Sequence, residues 1–319
     1  MRVLLIGEDD TEINNPYSIR NWHSFCVFFL NKVLKKNNIE VIYKAFNNWE
    51  RRVNPIDCVK DINEIGKKVD FVLGVRRIER LLANHGDRLI KALNSISNSK
   101  LCSYGDLVIS HKSKYNEKIF TVLLEDNIRK NIYKVWWCGD KEYLYPEQNT
   151  TGNINILLDH IDYSPLRKSN NDIFHVYRQG LDELSKKYPI DVKIIADPSV
   201  VDFDLEKEKE YSFGRGRNRW IDMISHYRQT HIYCVTHKES GGLTVMETGC
   251  CGASIVIPND FINPILRSEV NSYYCRAEKD SIQDAIEKAI LEFDLKKNLE
   301  IANRYTWDDT LKKILAVMA

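Results

Sequence analysis

Residues 231–258 constrain this chain more tightly than any other stretch. His231-Ile232-Tyr233-Cys234-Val235 is a short apolar run, and Ala253-Ser254-Ile255-Val256-Ile257 is another, closed by Pro258. Runs of that length and composition read as strands buried inside a sheet. Between them stand Gly241 and Gly242, then a short run of helical character beginning at Leu243. The first amides of a helix have no internal partner and sit at the positive end of its dipole, so a strand that feeds a glycine turn and a helix is a ready anion site. Without a Cβ, Gly241 and Gly242 let a bulky ligand approach the backbone. Glu239 precedes the turn and Glu247 lies about one turn into the helix. Both carboxylates can address one cleft at the carboxyl end of a sheet, where open α/β sheets bind their ligands.

Phosphate repels carboxylates, so these two should meet another part of the same ligand. Sugar hydroxyls fit, because an ionised carboxylate accepts several hydrogen bonds. A nucleotide sugar combines a diphosphate, a ribose and a transferable sugar. The plainer alternative is a buried crossover whose glycines ease packing and whose glutamates are solvated.

Seven residues separate the two glutamates, and Glu239-Ser240-Gly241-Gly242-Leu243-Thr244-Val245-Met246-Glu247 resembles the E-x7-E motif of retaining GT-B glycosyltransferases, most of all the family 4 type. The continuation Gly249-Cys250-Cys251-Gly252-Ala253-Ser254-Ile255-Val256 is similar to that family's as well. The resemblance implies that Glu239 contacts the donor sugar, Glu247 the ribose, and the amides of Leu243 and Thr244 the phosphates.

A length of 319 residues suits two domains. The formal net charge of +1 gives no nucleic-acid signal, although a local patch can still bind one. Cysteines 26, 58, 102, 138, 234, 250, 251 and 275 form no metal-ribbon spacing. No secretory leader is evident, since charge arrives at Glu8. Reduced thiols and a cytoplasmic location are expected. The longest apolar run, residues 25–30, is too short to span a membrane, which leaves peripheral contact open.

In chain order, residues 2–6 read as the first strand of a parallel sheet. Glu8, Asp9 and Asp10 then stand where many members of the resembled family carry a glycine-rich loop. Residues 18–36 read as a helix whose face of Trp22, Phe25, Phe28, Phe29 and Val33 belongs to the core. Further strands are expected at 40–45, 70–75, 107–109 and 121–124. His111 follows one of them and, by the resemblance, is a candidate for the reaction centre. Residues 135–146 look like the segment that closes the first domain in this family, so the domain runs over 1–146. Residues 147–153 read as a linker, and the second domain, the donor side, covers 153–305. The helix from 306 to 319 is expected to pack back on the first domain.

Arg167 and Lys168 precede a helix in the second domain. In the family, a basic residue there clamps the donor diphosphate, and guanidinium and ammonium groups suit that task. Arg217 lies in a glycine- and arginine-rich run, 212–220, which the resemblance places near the nucleotide base. A nucleic-acid-contacting loop is the other reading of that run. Asp202-Phe203-Asp204 matches a metal signature of a different glycosyltransferase fold, but a mixed-charge stretch surrounds it. No metal site and no cofactor are assigned.

The expectation is α/β: a GT-B chain with two Rossmann-like domains facing across a cleft. It would transfer sugar from a UDP-, GDP- or ADP-linked donor to a glycan or lipid-linked hydroxyl, with anomeric retention. Glu239, Lys168 and His111 are the catalytic candidates. Donor binding would involve Arg167, Lys168, Arg217, Gly241, Gly242, Leu243, Thr244 and Glu247. Alternatives are a transferase acting on a modified nucleic-acid base, a UDP-sugar 2-epimerase, or a non-catalytic nucleotide- or glycan-binding module.

Overall fold

The computed structural model describes residues 1–7, 12–19, 22–45, 62, 65, 68–75, 78, 86–105, 117–121, 131–136, 138–147, 152–160, 170–196, 220–236, 242–259 and 269–319. The chain divides into two compact units. One comprises Met1–Trp137 with Trp307–Ala319, and the other Cys138–Thr306.

In the first unit the described strands are β1 (Arg2–Gly7), β2 (Glu40–Ala45), β3 (Phe71–Val75), β4 (Leu101–Gly105), β5 (Lys118–Thr121) and β6 (Ile132–Lys134). All pair in parallel, in the order β2-β1-β3-β4-β5-β6. The unit's described α-helices are α1 (Trp22–Lys36), α2 (Gly86–Ser97) and α8 (Trp307–Met318). Leu4, Ile6 and Val72 join Leu89 and Leu93 of α2 in one core. Strand alternation turns Val3 and Leu5, both fully buried, to the opposite face of the sheet. Phe25, Phe28, Phe29 and Val33 of α1 are buried, and Trp307 stacks on Phe29 with ring centroids 5.6 Å apart. The phenylalanine stripe is therefore core. The strand expected at 107–109 lies outside the described residues, and β4 lies where the sequence reading placed no strand. β5 begins three residues before the expected 121.

The second unit holds β7 (Ile154–His160), α3 (Asn170–Leu184), β8 (Ile190–Ala196), α4 (Trp220–Gln229), β9 (Ile232–Cys234), α5 (Leu243–Cys250), β10 (Ser254–Pro258), β11 (Ser272–Cys275), α6 (Lys279–Leu291) and α7 (Leu295–Ala302). Its sheet is also parallel, in the order β11-β10-β9-β7-β8. Phe174, Tyr177 and Leu181 of α3 and Ile282, Ile286 and Ala289 of α6 form a core with Ile156, Leu158, Cys234 and Val256. Helix α5 packs between α4 and α7 and against β10. Among the described residues no helix is long and apolar enough to cross a membrane.

Candidate functional site

The topology of the second sheet selects a place for a ligand. From β7 the chain passes to β8 at the sheet edge, then returns to β9 on the other side of β7. The winding direction reverses between β7 and β9, and open α/β sheets bind ligands beyond the carboxyl ends of such a strand pair. Those two ends are adjacent, since Leu158 pairs with Cys234. Val235 extends the ladder by donating to the Val256 carbonyl at 2.9 Å, and Thr236 after it is buried.

The chain enters α5 through Gly242, whose φ of 63° and ψ of 30° lie in the left-handed region. Glycine is the residue that adopts that conformation without a steric penalty. The Gly242 carbonyl accepts the Met246 amide at 3.0 Å, so the amides of Leu243, Thr244 and Val245 fall in the first turn, ahead of the regular ladder. The N-cap, Gly242, has no side chain with which to cap this end. Leu243 and Thr244 are half-buried, while every residue from Val245 to Cys250 is buried. The helix thus offers solvent only its positive end.

Glu247 lies one turn below that end, four residues after Leu243, on the same helical face. It is only 3% exposed. Burying a carboxylate is costly unless donors meet it. One donor is the indole of Trp220, the first residue of α4, whose Nε1–H donates to Glu247 Oε1. The Trp220 ring lies 5.6 Å from that of Tyr143. The 138–147 segment is in turn tied to α4. Glu147 N–H donates to the Arg228 carbonyl at 2.9 Å, and Arg228 Nε–H to the Tyr143 carbonyl at 2.8 Å. The Arg228 guanidinium also sits 3.8 Å over the Tyr145 ring.

Close packing fixes the rest of α5. A methyl group at Gly249 would meet Val270 Cγ1 at 2.6 Å, so α5 lies this close to Val270 because residue 249 has no side chain. Burial pushes the Cys250 thiol up to about 12, with the Glu247 charge adding to the rise and a backbone hydrogen bond from Gly139 opposing it. Cys251 is raised further by burial, then by Cys250 and Glu247. Neither thiol is a nucleophile near neutral pH, because reactivity belongs to the thiolate. At the far end of α5 a hollow of about 610 Å³ is lined by Leu144, Tyr145, Cys250, Leu295 and Leu299, among others. None of the expected site residues lines it.

No protein-family model matches the sequence, and no curated protein matches it. Solved structures do match in shape. The lipopolysaccharide outer core galactosyltransferase WaaB is 11% identical, with a TM-score of 0.61, and all of each chain is covered. A putative UDP-N-acetylglucosamine 2-epimerase from Listeria monocytogenes is 13% identical, with a TM-score of 0.62 over 99% of this chain and 95% of that one. HepE from Anabaena, solved with UDP and glucose, is 10% identical, with a TM-score of 0.60 over 99% of this chain and 98% of that one.

The chain has the GT-B fold.

Within this GT-B chain, Gly242, Leu243, Thr244 and Glu247 are brought together on one turn and one helix at the switch point. His111, Arg167, Lys168, Arg217, Glu239 and Gly241 lie outside the described residues, as do Glu8, Asp9 and Asp10 and the Asp202-Phe203-Asp204 triplet. Among the described residues no group of His, Cys, Asp and Glu side chains is arranged to hold a metal ion. Sequence reasoning passed over Trp220 and Tyr143. The available signal was positional, since Trp220 closes the glycine- and arginine-rich run and opens α4.

Proposed function

We propose that this chain is a retaining glycosyltransferase that moves a sugar from a nucleotide-diphosphate sugar to a hydroxyl of a glycan or lipid-linked acceptor. The observation that carries the reading is Glu247, a buried carboxylate one turn behind a half-buried, glycine-capped helix end at the sheet's switch point. A helix N-terminus suits a diphosphate, and a carboxylate behind it suits a diol. In this reading Glu247 takes the ribose and the amides of Leu243 and Thr244 take the phosphates, with Gly241 and Gly242 allowing the approach. Arg217 serves the base. Arg167 and Lys168 stabilise the departing diphosphate, Glu239 orients the sugar and His111 serves the reaction centre. Positioning and electrostatics then supply the acceleration, with no side-chain nucleophile and no metal invoked.

HepE was solved with UDP and glucose, which makes uridine diphosphate sugars the first donors to try. The test is a melting-temperature panel with UDP-, GDP- and ADP-sugars, followed by diphosphate release with and without glycan acceptors. A bound donor raises the melting temperature by its preference for the folded chain. A flat panel together with no release from any donor would sink the reading.

The likeness to a putative UDP-N-acetylglucosamine 2-epimerase supports a second reading, the interconversion of a UDP-sugar without acceptor. Incubation with donor alone separates the two. An epimerase yields the 2-epimer, and a transferase leaves the donor's stereochemistry unchanged.

A further inference from the structure

We propose that Trp220 is a positioning residue for the nucleotide's ribose, acting through Glu247. The inference rests on the reading of Glu247 as the ribose contact.

The geometry supplies three reasons. First, the indole N–H meets Glu247 Oε1 directly, across 27 residues of sequence. A buried carboxylate with a fixed donor on one oxygen cannot swing to another rotamer without leaving that donor unmatched inside the protein, which costs free energy. Second, an indole N–H can only donate. It holds Oε1 as an acceptor, and a carboxylate so held presents further acceptor sites, which is what a pair of ribose hydroxyls requires. Third, the indole is itself held. Trp220 is 8% exposed, and Tyr143 lies against its ring from a segment that Arg228 and Glu147 bind to the same helix. The aim of the carboxylate is thus set by a side chain that anchors the start of α4, the helix that follows the run containing Arg217.

A purely structural tryptophan and a positioning tryptophan predict different things. Loss of packing weakens every nucleotide alike. Loss of aim weakens the contact to ribose hydroxyls and spares the rest. The experiment compares nucleoside diphosphates with their 2′-deoxy forms on the full chain, using whichever of UDP, GDP or ADP stabilises the wild type. Titration calorimetry should show the wild type preferring the ribo form by roughly tenfold or more, the size of one hydrogen bond to a charged group. Trp220→Phe keeps the ring against Tyr143 and removes the N–H. Its preference should fall to within about twofold of unity, while the deoxy form binds nearly as it does to the wild type. Tyr143→Leu keeps the N–H and loosens the ring, so a drop of about threefold is expected, and it serves if Trp220→Phe does not fold. An unchanged ribo-to-deoxy ratio in a folded variant overturns the positioning role while leaving the nucleotide reading in place. If the wild type binds none of the three diphosphates, the site reading falls and this inference falls with it.

Discussion

Both units of this chain bury glutamates, Glu117 in the first and Glu247 and Glu269 in the second, and burial alone does not tell Glu117 from Glu247. Glu117 in the first unit is 2% exposed and Glu247 in the second is 3% exposed. Their surroundings differ. Glu117 Oε1 accepts the main-chain N–H of Ile78 at 2.8 Å and the hydroxyl of Ser103, a residue of β4. The amide of Ile78 also reaches Ser103 Oγ, at 2.9 Å. These partners are backbone and strand, and they make the carboxylate a strut between β4, β5 and the stretch after β3. Burial, with the Glu117 charge adding to it, pushes the neighbouring Cys102 thiol well above its usual range. Glu247 is met instead by the side chain of a helix-opening tryptophan, below the only part of α5 that reaches solvent. A buried carboxylate is functional by its address: which end of which element it stands under, and whether its donors are main chain and strand or the side chain of a neighbouring helix.

Removing the strut should produce the largest change in stability. Glu117→Ala takes the buried acceptor from the Ser103 hydroxyl and leaves the Ile78 amide Ser103 Oγ alone, at a cost of about 3 kcal/mol. Calorimetry should record a melting temperature lower by roughly 6–12 °C, with nucleotide affinity unchanged. Weakened nucleotide binding with full stability would invert the comparison. Next in size is Glu239→Ala, where turnover with the best donor should fall by about a hundredfold, or ~2.7 kcal/mol, while the donor KM moves by less than about threefold. A normal rate removes Glu239 from the proposed chemistry. Glu247→Gln sharpens the contrast with Glu117, because the amide oxygen can still accept from Trp220. Stability should hold to within ~1 kcal/mol, while titration shows nucleoside diphosphate binding weakened by about tenfold and turnover at saturation nearly intact. Equal affinity in the variant and the wild type would make Glu247 a second strut.

The same contrast explains what the sequence disclosed. Strands β1, β3, β9 and β10 read clearly because sheets covered on both faces demand continuous apolar runs. β6 and β11 escaped because they are short as well as placed at sheet ends, three and four residues long against the six of β2, which closes an end too and was read. An end strand needs less burial, and Tyr133, Lys134 and Tyr274 remain partly or largely exposed. β4 escaped for another reason. Its central Ser103 is polar yet fully buried, made tolerable by Glu117, and no local pattern announces a partner 14 residues away. Within the candidate site, Gly242 and Glu247 were legible from spacing, since one turn and one helix hold both. The Trp220–Glu247 contact was not, because it joins two helices through a fold that spacing cannot encode.

The smallest expected effect separates the units by pH. His231 precedes β9, and its Nδ1 accepts the Asn155 amide at 2.9 Å while its ring meets Phe293 edge-on at 5.3 Å. That hydrogen bond places the ring proton on Nε2. Burial lowers the His231 pKa below its usual 6.5, and burial followed by the charge of Lys193 does the same to His226. Folded values below the unfolded one mean that the folded unit binds fewer protons. Its stability is whole above about pH 6.5 and is lost as the pH falls through the two lowered values. Protonating His231 would also remove the acceptor of Asn155. In the first unit, hydrogen bonds from Lys36 and Asn37 hold the Asp308 carboxyl below its usual 3.8, so that contribution persists until far stronger acid. Between pH 7.5 and 5.5, amide exchange in β7 and β9 should therefore speed up relative to the chemical rate, by a few-fold, while β1 and β3 stay protected. His231→Gln should remove part of the difference. Uniform loss of protection across both sheets would show that these two histidines do not set the acid response.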